Sequence, residues 1–134
     1  MKIVHASTEE QEKHIEELIQ QMYHEIFPIY FSDKMMEELE TEFSFKLHEA
    51  PNYHGTLKEA FQVMSSLQAL IALFENVHKS EKHIEKYKDM YERNMDTLKR
   101  YGFKLPLTFE KFLASSTKEN MFSRYLKPAN KWII

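Results

Sequence analysis

Apolar positions recur at three- and four-residue steps over most of this 134-residue chain, and the longest such run spans 56–102. Leu57, Ala60, Phe61, Met64, Leu67, Leu70, Ile71 and Phe74 mark one face of an α-helix. Val63, Ala69, Ala72 and Leu73 widen that face, so the helix is expected to be covered on more than one side. Thr56 and Glu59 have the spacing of a capping box. Ile84, Tyr87, Tyr91, Met95 (or Asn94), Leu98 and Tyr101 continue the pattern. Gly102 ends it as a residue free to take positive φ, after Lys99 and Arg100 at the negative end of the dipole, with Phe103 placed to meet Leu98. One continuous helix would be about 68 Å long, against a diameter of roughly 36 Å for a compact chain of this size. Positions 75–83 are polar apart from Val77, and Ser80 can serve as an N-cap. The stretch therefore reads as two antiparallel helices broken near 77–80. With no Gly or Pro at the break, a single protruding helix is the alternative.

The remaining segments are shorter. Ile3 and Val4 give positions 1–6 the look of a strand. Ser7 and Glu10 have capping-box spacing, and Ile15, Leu18, Ile19, Met22 and Ile26 form the stripe of a first helix over 8–27. Pro28 is expected to stop it at Phe27. The aromatic stretch 27–31 reads as a plug for one end of a bundle, with a pocket lining as the alternative. Ser32 and Asp33 open a second helix with Met35, Met36, Leu39 and Phe43 inward. Residues 42–48 alternate as a strand would, yet Leu39, Phe43 and Leu47 also fit a helix; as a strand they could pair with 2–5 or 131–134. Residues 50–55 read as a turn, Leu105-Pro106-Leu107 as a break, and Thr108 as the cap of a short helix over 109–114. Ser116 and Glu119 announce a last helix bearing Met121, Phe122, Tyr125 and Leu126, ended by Pro128. The apolar tail around Trp132 is expected to dock on the core or to anchor a partner.

Composition narrows the class. An apolar content of 43% is ample for one core, and two glycines with four prolines argue against an all-β fold. The chain has no cysteine, which removes disulfides, thiolate metal sites and cysteine nucleophiles. No secretory leader is legible at the N-terminus, and the most apolar window, 60–74, is too short and too polar to span a bilayer. The net charge of −3 hides an asymmetry. Residues 1–54 carry 4 lysines against 12 acidic groups, whereas 55–134 carry 14 basic against 9 acidic. Acidic N-terminal helices docking on a basic remainder explain this simply. A basic surface within 99–131 meeting an anion or nucleic acid is the sharper reading, although no nucleic-acid-binding signature accompanies it.

No motif raises a chemistry above background. His14, Glu17, Gln21 and His24 lie three and four residues apart, and Glu75 with His78 supplies one Glu-x-x-His. Carboxylate-bridged metal bundles use that half-motif twice, and here the second is missing. The stripe therefore reads first as a solvated helix face, with a His/Glu metal site as the alternative. Glycine-rich phosphate loops and nucleophile elbows are absent. No residue is assigned as catalytic, cofactor-binding or metal-ligating.

The segments KIVHASTEEQE, IFPIYFSD, GTLKEAFQVMSSLQALIALFE and RYGFKLP together resemble the YhcU-like proteins, a small family of Bacillus-type bacteria. The resemblance covers most of the chain. It implies a cytoplasmic bacterial protein and transfers no activity. The expectation is a single mostly α-helical domain over 1–134 with about five to six helices, and a short two-stranded β element if 43–48 is a strand. The leading functional expectation is a non-enzymatic cytoplasmic interaction or regulatory protein, partnered by another protein or by a second copy. Replacing Trp132 by Ala should then weaken association and spare the helices. The alternatives are a metal-dependent helical-bundle enzyme using His14, Glu17, His24, Glu75 or His78, and an anion- or nucleic-acid-binding module.

Overall fold

Thr56 opens the longest helix, α4 (Leu57–Asn76), through a complete capping box. Its hydroxyl oxygen accepts from the Glu59 amide at 3.2 Å, and Glu59 Oε1 accepts from the amides of Thr56 (3.1 Å) and His54 (2.9 Å). Desolvation works to raise the Glu59 carboxyl; the hydrogen bonds from Thr56 and His54 outweigh it and hold the group below the usual carboxylate range. Residues 8–77 and 81–115 are described by the computed structural model. The strand expected near 2–5, the Ser7 cap, Ser80, His78, the last helix and the Trp132 tail all lie outside them.

The 56–102 stretch is the expected hairpin. Helix α5 (Ile84–Arg100) returns along α4, with Phe74 and Tyr91 ring centres 6.2 Å apart near the turn. At the open end the Tyr101 hydroxyl donates to Gln62 Oε1 at 2.7 Å. Helix α4 buries Ala60, Val63, Leu67, Leu70 and Phe74 between α5 and the first helix, as its wide apolar face requires. Gly102 ends α5 at φ +87°, its amide donating to Lys99 O at 3.2 Å.

The first helix departs from expectation. It runs as α1 (Glu9–Gln20), widens to a π-helical segment (Gln21–Ile26), and continues through Pro28 as α2 (Phe27–Tyr30). In the widened turn the Phe27 amide reaches back five residues to Met22 O. Pro28 lacks an amide and its ring would clash with the carbonyl four residues earlier in a straight α-helix. The π segment absorbs both problems, so the helix ends three residues past the expected stop at Phe27.

Ser32 then caps α3 (Asp33–Glu42) by accepting from the Met35 amide at 3.2 Å. The ambiguous 43–48 segment is extended. Among the described residues its strand β1 (Ser44–Phe45) pairs antiparallel with β2 (Phe103–Lys104), and Lys46 N donates to Gly102 O at 3.0 Å. A 3-10 turn (Leu47–Glu49) follows β1. Thr108 caps α6 (Phe109–Ser115) through the Lys111 amide at 3.0 Å.

The 27–31 aromatics are a plug. Phe27 and Phe31 are fully buried, and the Phe27, Phe31, Phe74 and Phe112 rings meet with centres 4.8–5.7 Å apart. Tyr91 extends the cluster; its hydroxyl donates to Leu107 O, and burial, with the Glu110 carboxylate, pushes its phenol well above the ordinary value. The described residues thus form a helical bundle with one two-stranded antiparallel β element around one contiguous core.

Candidate functional site

The π segment and β1 have a joint consequence. The stripe Ile15, Leu18 and Met22 faces the core, which leaves Ile19 half-buried on the flank of α1. Across from it, β1 and the 3-10 turn present Phe45 and Leu47. Between these walls lies a cleft of about 900 Å³. Its floor is apolar, from Ile15 and Leu47 (buried) to Ile19 and Phe45 (half-buried). Among the described residues its rim carries Glu12, Glu16, Glu17 and Glu25 against one lysine, Lys13, and includes His24 and His48.

Glu12 anchors one end. The Tyr53 hydroxyl donates to Glu12 Oε2, and His48 Nε2 stands 3.4 Å from Glu12 Oε1. The His48 and Tyr53 rings meet edge-on at 5.7 Å, and Tyr53 meets Tyr101 at 6.2 Å. Burial, then the Glu12 carboxylate, pushes the Tyr53 phenol far above its ordinary value. The Tyr53 hydroxyl therefore keeps its proton and serves Glu12 as a hydrogen-bond donor. Both Glu12 oxygens are engaged. The cluster clamps the 46–56 connection to α1 and sets the width of the cleft.

Among the described residues, those considered as metal ligands are not gathered. His14, Glu17, Gln21 and His24 are all exposed; the last three line the cleft, and the His24 ring packs edge-on against Tyr23 at 5.2 Å. Glu75 is exposed on α4, where its charge acts on Tyr30, secondary to that tyrosine's own burial. His78 lies outside the described residues. Among the described residues no three His, Asp or Glu side chains stand together as a metal would require.

Two of the basic residues of 99–111, Lys99 and Lys111, lie among acidic ones. Lys99 borders a hollow with Glu92, Asp96 and Glu110, and Lys111 borders one with Glu38 and Glu42 from the acidic half. Lys88 pairs with Glu110 at 2.7 Å. A further hollow, of about 530 Å³, lies on the outer α4–α5 face between Lys58 and Arg100, beside Phe61, which is 48% exposed. No helix among the described residues is long and apolar enough to cross a membrane.

Sequence reading did not single out Glu12, His48, Tyr53 or Phe45. Glu12 carries no signal beyond its place in the first turn of α1, and Tyr53 none beyond the turn composition of 50–55. The alternation Phe43, Phe45, Leu47 was the one available signal.

The family model of DUF5365, described as a family of unknown function, matches residues 1–117. The uncharacterized protein YhcU of Bacillus subtilis (strain 168) is 33% identical over 119 residues, which cover 88% of each chain. No solved structure matches.

Proposed function

This chain belongs to the DUF5365 family, whose description carries no activity, and we propose from its geometry that it is a non-enzymatic docking protein. Its acidic cleft receives a basic, amphipathic segment of a polypeptide partner. The observation that carries this reading is the cleft itself, an apolar floor ringed by four glutamates against one lysine. An apolar side chain seated on Ile19 and Phe45 gains about 1.5–3 kcal/mol on full burial. The rim supplies steering and register more than raw affinity. Engaged at Glu12, the clamp leaves the other glutamates free to meet lysine or arginine in water. The cytoplasmic setting belongs to this reading as what the family resemblance implies.

The test is a titration of the full chain with a fluorescently labelled, helix-forming Lys/Leu peptide. Saturable one-to-one binding is expected, weakened by salt as exposed charges are screened. Reversing Glu16, Glu17 and Glu25 to lysine should weaken it roughly tenfold or more, a loss above about 1.4 kcal/mol. Ile19→Asp should weaken it similarly by spoiling the floor. Binding that ignores both changes while the fold is intact refutes the docking reading.

A further inference from the structure

The cleft has a candidate occupant within the chain itself. Beyond Ser115, residues 116–134 carry Lys118, Arg124, Lys127 and Lys131 against Glu119 alone. Their charge balance is opposite to that of the rim. Met121, Phe122, Tyr125 and Leu126 recur at the spacing of one helical face, followed by Trp132, Ile133 and Ile134. This is the basic amphipathic chemistry the cleft fits.

Reach is not limiting. The Phe112 ring of α6 stands 6.0 Å from Tyr30, at the end of the helix that continues from α1. Glu25 on the cleft rim is five residues from Tyr30, about 7.5 Å along a helix axis. The nineteen residues beyond Ser115 can span roughly 60 Å when extended. A segment tethered this near its site acts at a high effective concentration, so modest contacts suffice to occupy it.

We infer that residues 116–134 of the same chain occupy the acidic cleft and must leave it before an outside partner binds. The inference rests on the docking reading above and adds an autoinhibitory ligand to it. Opposite charge alone is common on protein surfaces. Here it coincides with an apolar floor, an apolar segment and a short tether.

The experiment uses the full chain, whose lack of cysteine lets one introduced thiol be labelled uniquely, and whose single tryptophan is Trp132. A bimane label at Gln20→Cys, on the cleft wall, is compared with one at Gln68→Cys, exposed on α4 outside the cleft. Trp132-dependent quenching is expected at position 20 and not at 68, lost in Trp132→Phe and reduced in Lys127→Glu/Lys131→Glu. The same charge-reversed variant should bind the Lys/Leu peptide several-fold more tightly, its competitor having been weakened. If Gln20→Cys does not fold, Lys13→Cys on the same rim replaces it. Unquenched bimane at the cleft in a folded protein, or equal quenching at 68, overturns the inference. Quenching of labelled Trp132→Phe chains that returns when they are mixed with unlabelled wild type places the segment on a second copy and also overturns it. If the cleft label is unquenched but the peptide still binds wild type, the docking reading survives this failure. If the peptide binds none of the variants, the docking reading itself has failed.

Discussion

Gly102 offers a sharp test because two separable penalties meet there. Its φ of +87° puts an added Cβ in the left-handed region, and that Cβ would press on the Lys46 carbonyl oxygen, with the carbonyl carbon at 2.9 Å and Ala50 Cβ at 3.4 Å. Gly55 has a similar φ of +75° with nothing within 4 Å of its added Cβ. Both alanine variants carry a backbone strain of about 1–2 kcal/mol and the same entropic restriction of the unfolded chain. Only Gly102→Ala adds the overlap with a backbone carbonyl, worth about 1–3 kcal/mol if it behaves as ordinary overpacking. The Lys46 oxygen cannot swing away freely, because the Lys46 amide is bonded to Gly102 O. For a chain of this length 1 kcal/mol shifts Tm by about 3–5 °C. Gly102→Ala should therefore melt roughly 3–15 °C below Gly55→Ala, read by circular dichroism under one set of conditions. Equal losses in the two variants would refute the close-approach argument. Because Phe45, Leu47 and His48 line the cleft beside this contact, Gly102→Ala should also weaken peptide binding, whereas Gly55→Ala should not.

Two further perturbations follow from the hydrogen bonding. Thr56→Ala should cost about 1 kcal/mol by removing the acceptor for the Glu59 amide. Glu59 is lowered in the folded state, so its share of the capping box is present above the ordinary carboxylate value of 4.5 and lost as pH falls through the lowered folded value. The gap between wild type and Thr56→Ala should narrow in acid when melts are compared across pH. Tyr53→Phe should cost about 1–2 kcal/mol by leaving Glu12 short of a donor. A phenol raised in the folded state contributes stability below its ordinary value of 10 and loses it as pH rises beyond that. Alkaline loss of stability should thus be shallower in Tyr53→Phe than in wild type, and an identical slope would count against the Glu12 bond.

The fold was largely legible because its punctuation is local. Thr56–Glu59, Ser32, Thr108 and Gly102 each act within a few residues, and each does what its spacing announced. The partner of β1 was not legible, since two residues of strand carry no register signal of their own and Phe103 looked like the end of a helical cap. The cleft was legible only in part. Its glutamates belong to a helix flank that reads as solvated, and its far wall is brought there by a β pairing across more than fifty residues.

The π segment is the instructive case, because the sequence carries its signal in two forms, Pro28 and a slip in the apolar stripe. In a straight α-helix, at about 100° per residue, Phe31 would sit about 160° from Ile15 around the axis. Yet Ile15, Leu18 and Met22 are buried, and so are Ile26, Phe27, Tyr30 and Phe31. The apolar stripe slips by about one residue near Ile26-Phe27. A turn bonded five residues back takes up that slip and returns Phe31 to the core side. Pro28 and the slipped stripe are thus separate reasons for the same widening. Pro28→Ala tells them apart. If the buried aromatics set the register, the variant keeps the π segment, Tyr30 and Phe31 stay buried, and the Phe27 amide bonded to Met22 O remains protected from hydrogen exchange. If the proline alone forces the widening, the variant relaxes to continuous α-helix, turns Phe31 outward and loses stability with the aromatic cluster. Burying Phe31 against Phe27 and Phe112 is worth about 1.5–3 kcal/mol on area alone, comparable to the roughly 3 kcal/mol that a proline costs in a helix interior. The register should therefore hold without the proline, and the cleft wall formed by Gln21, His24 and Glu25 should hold with it.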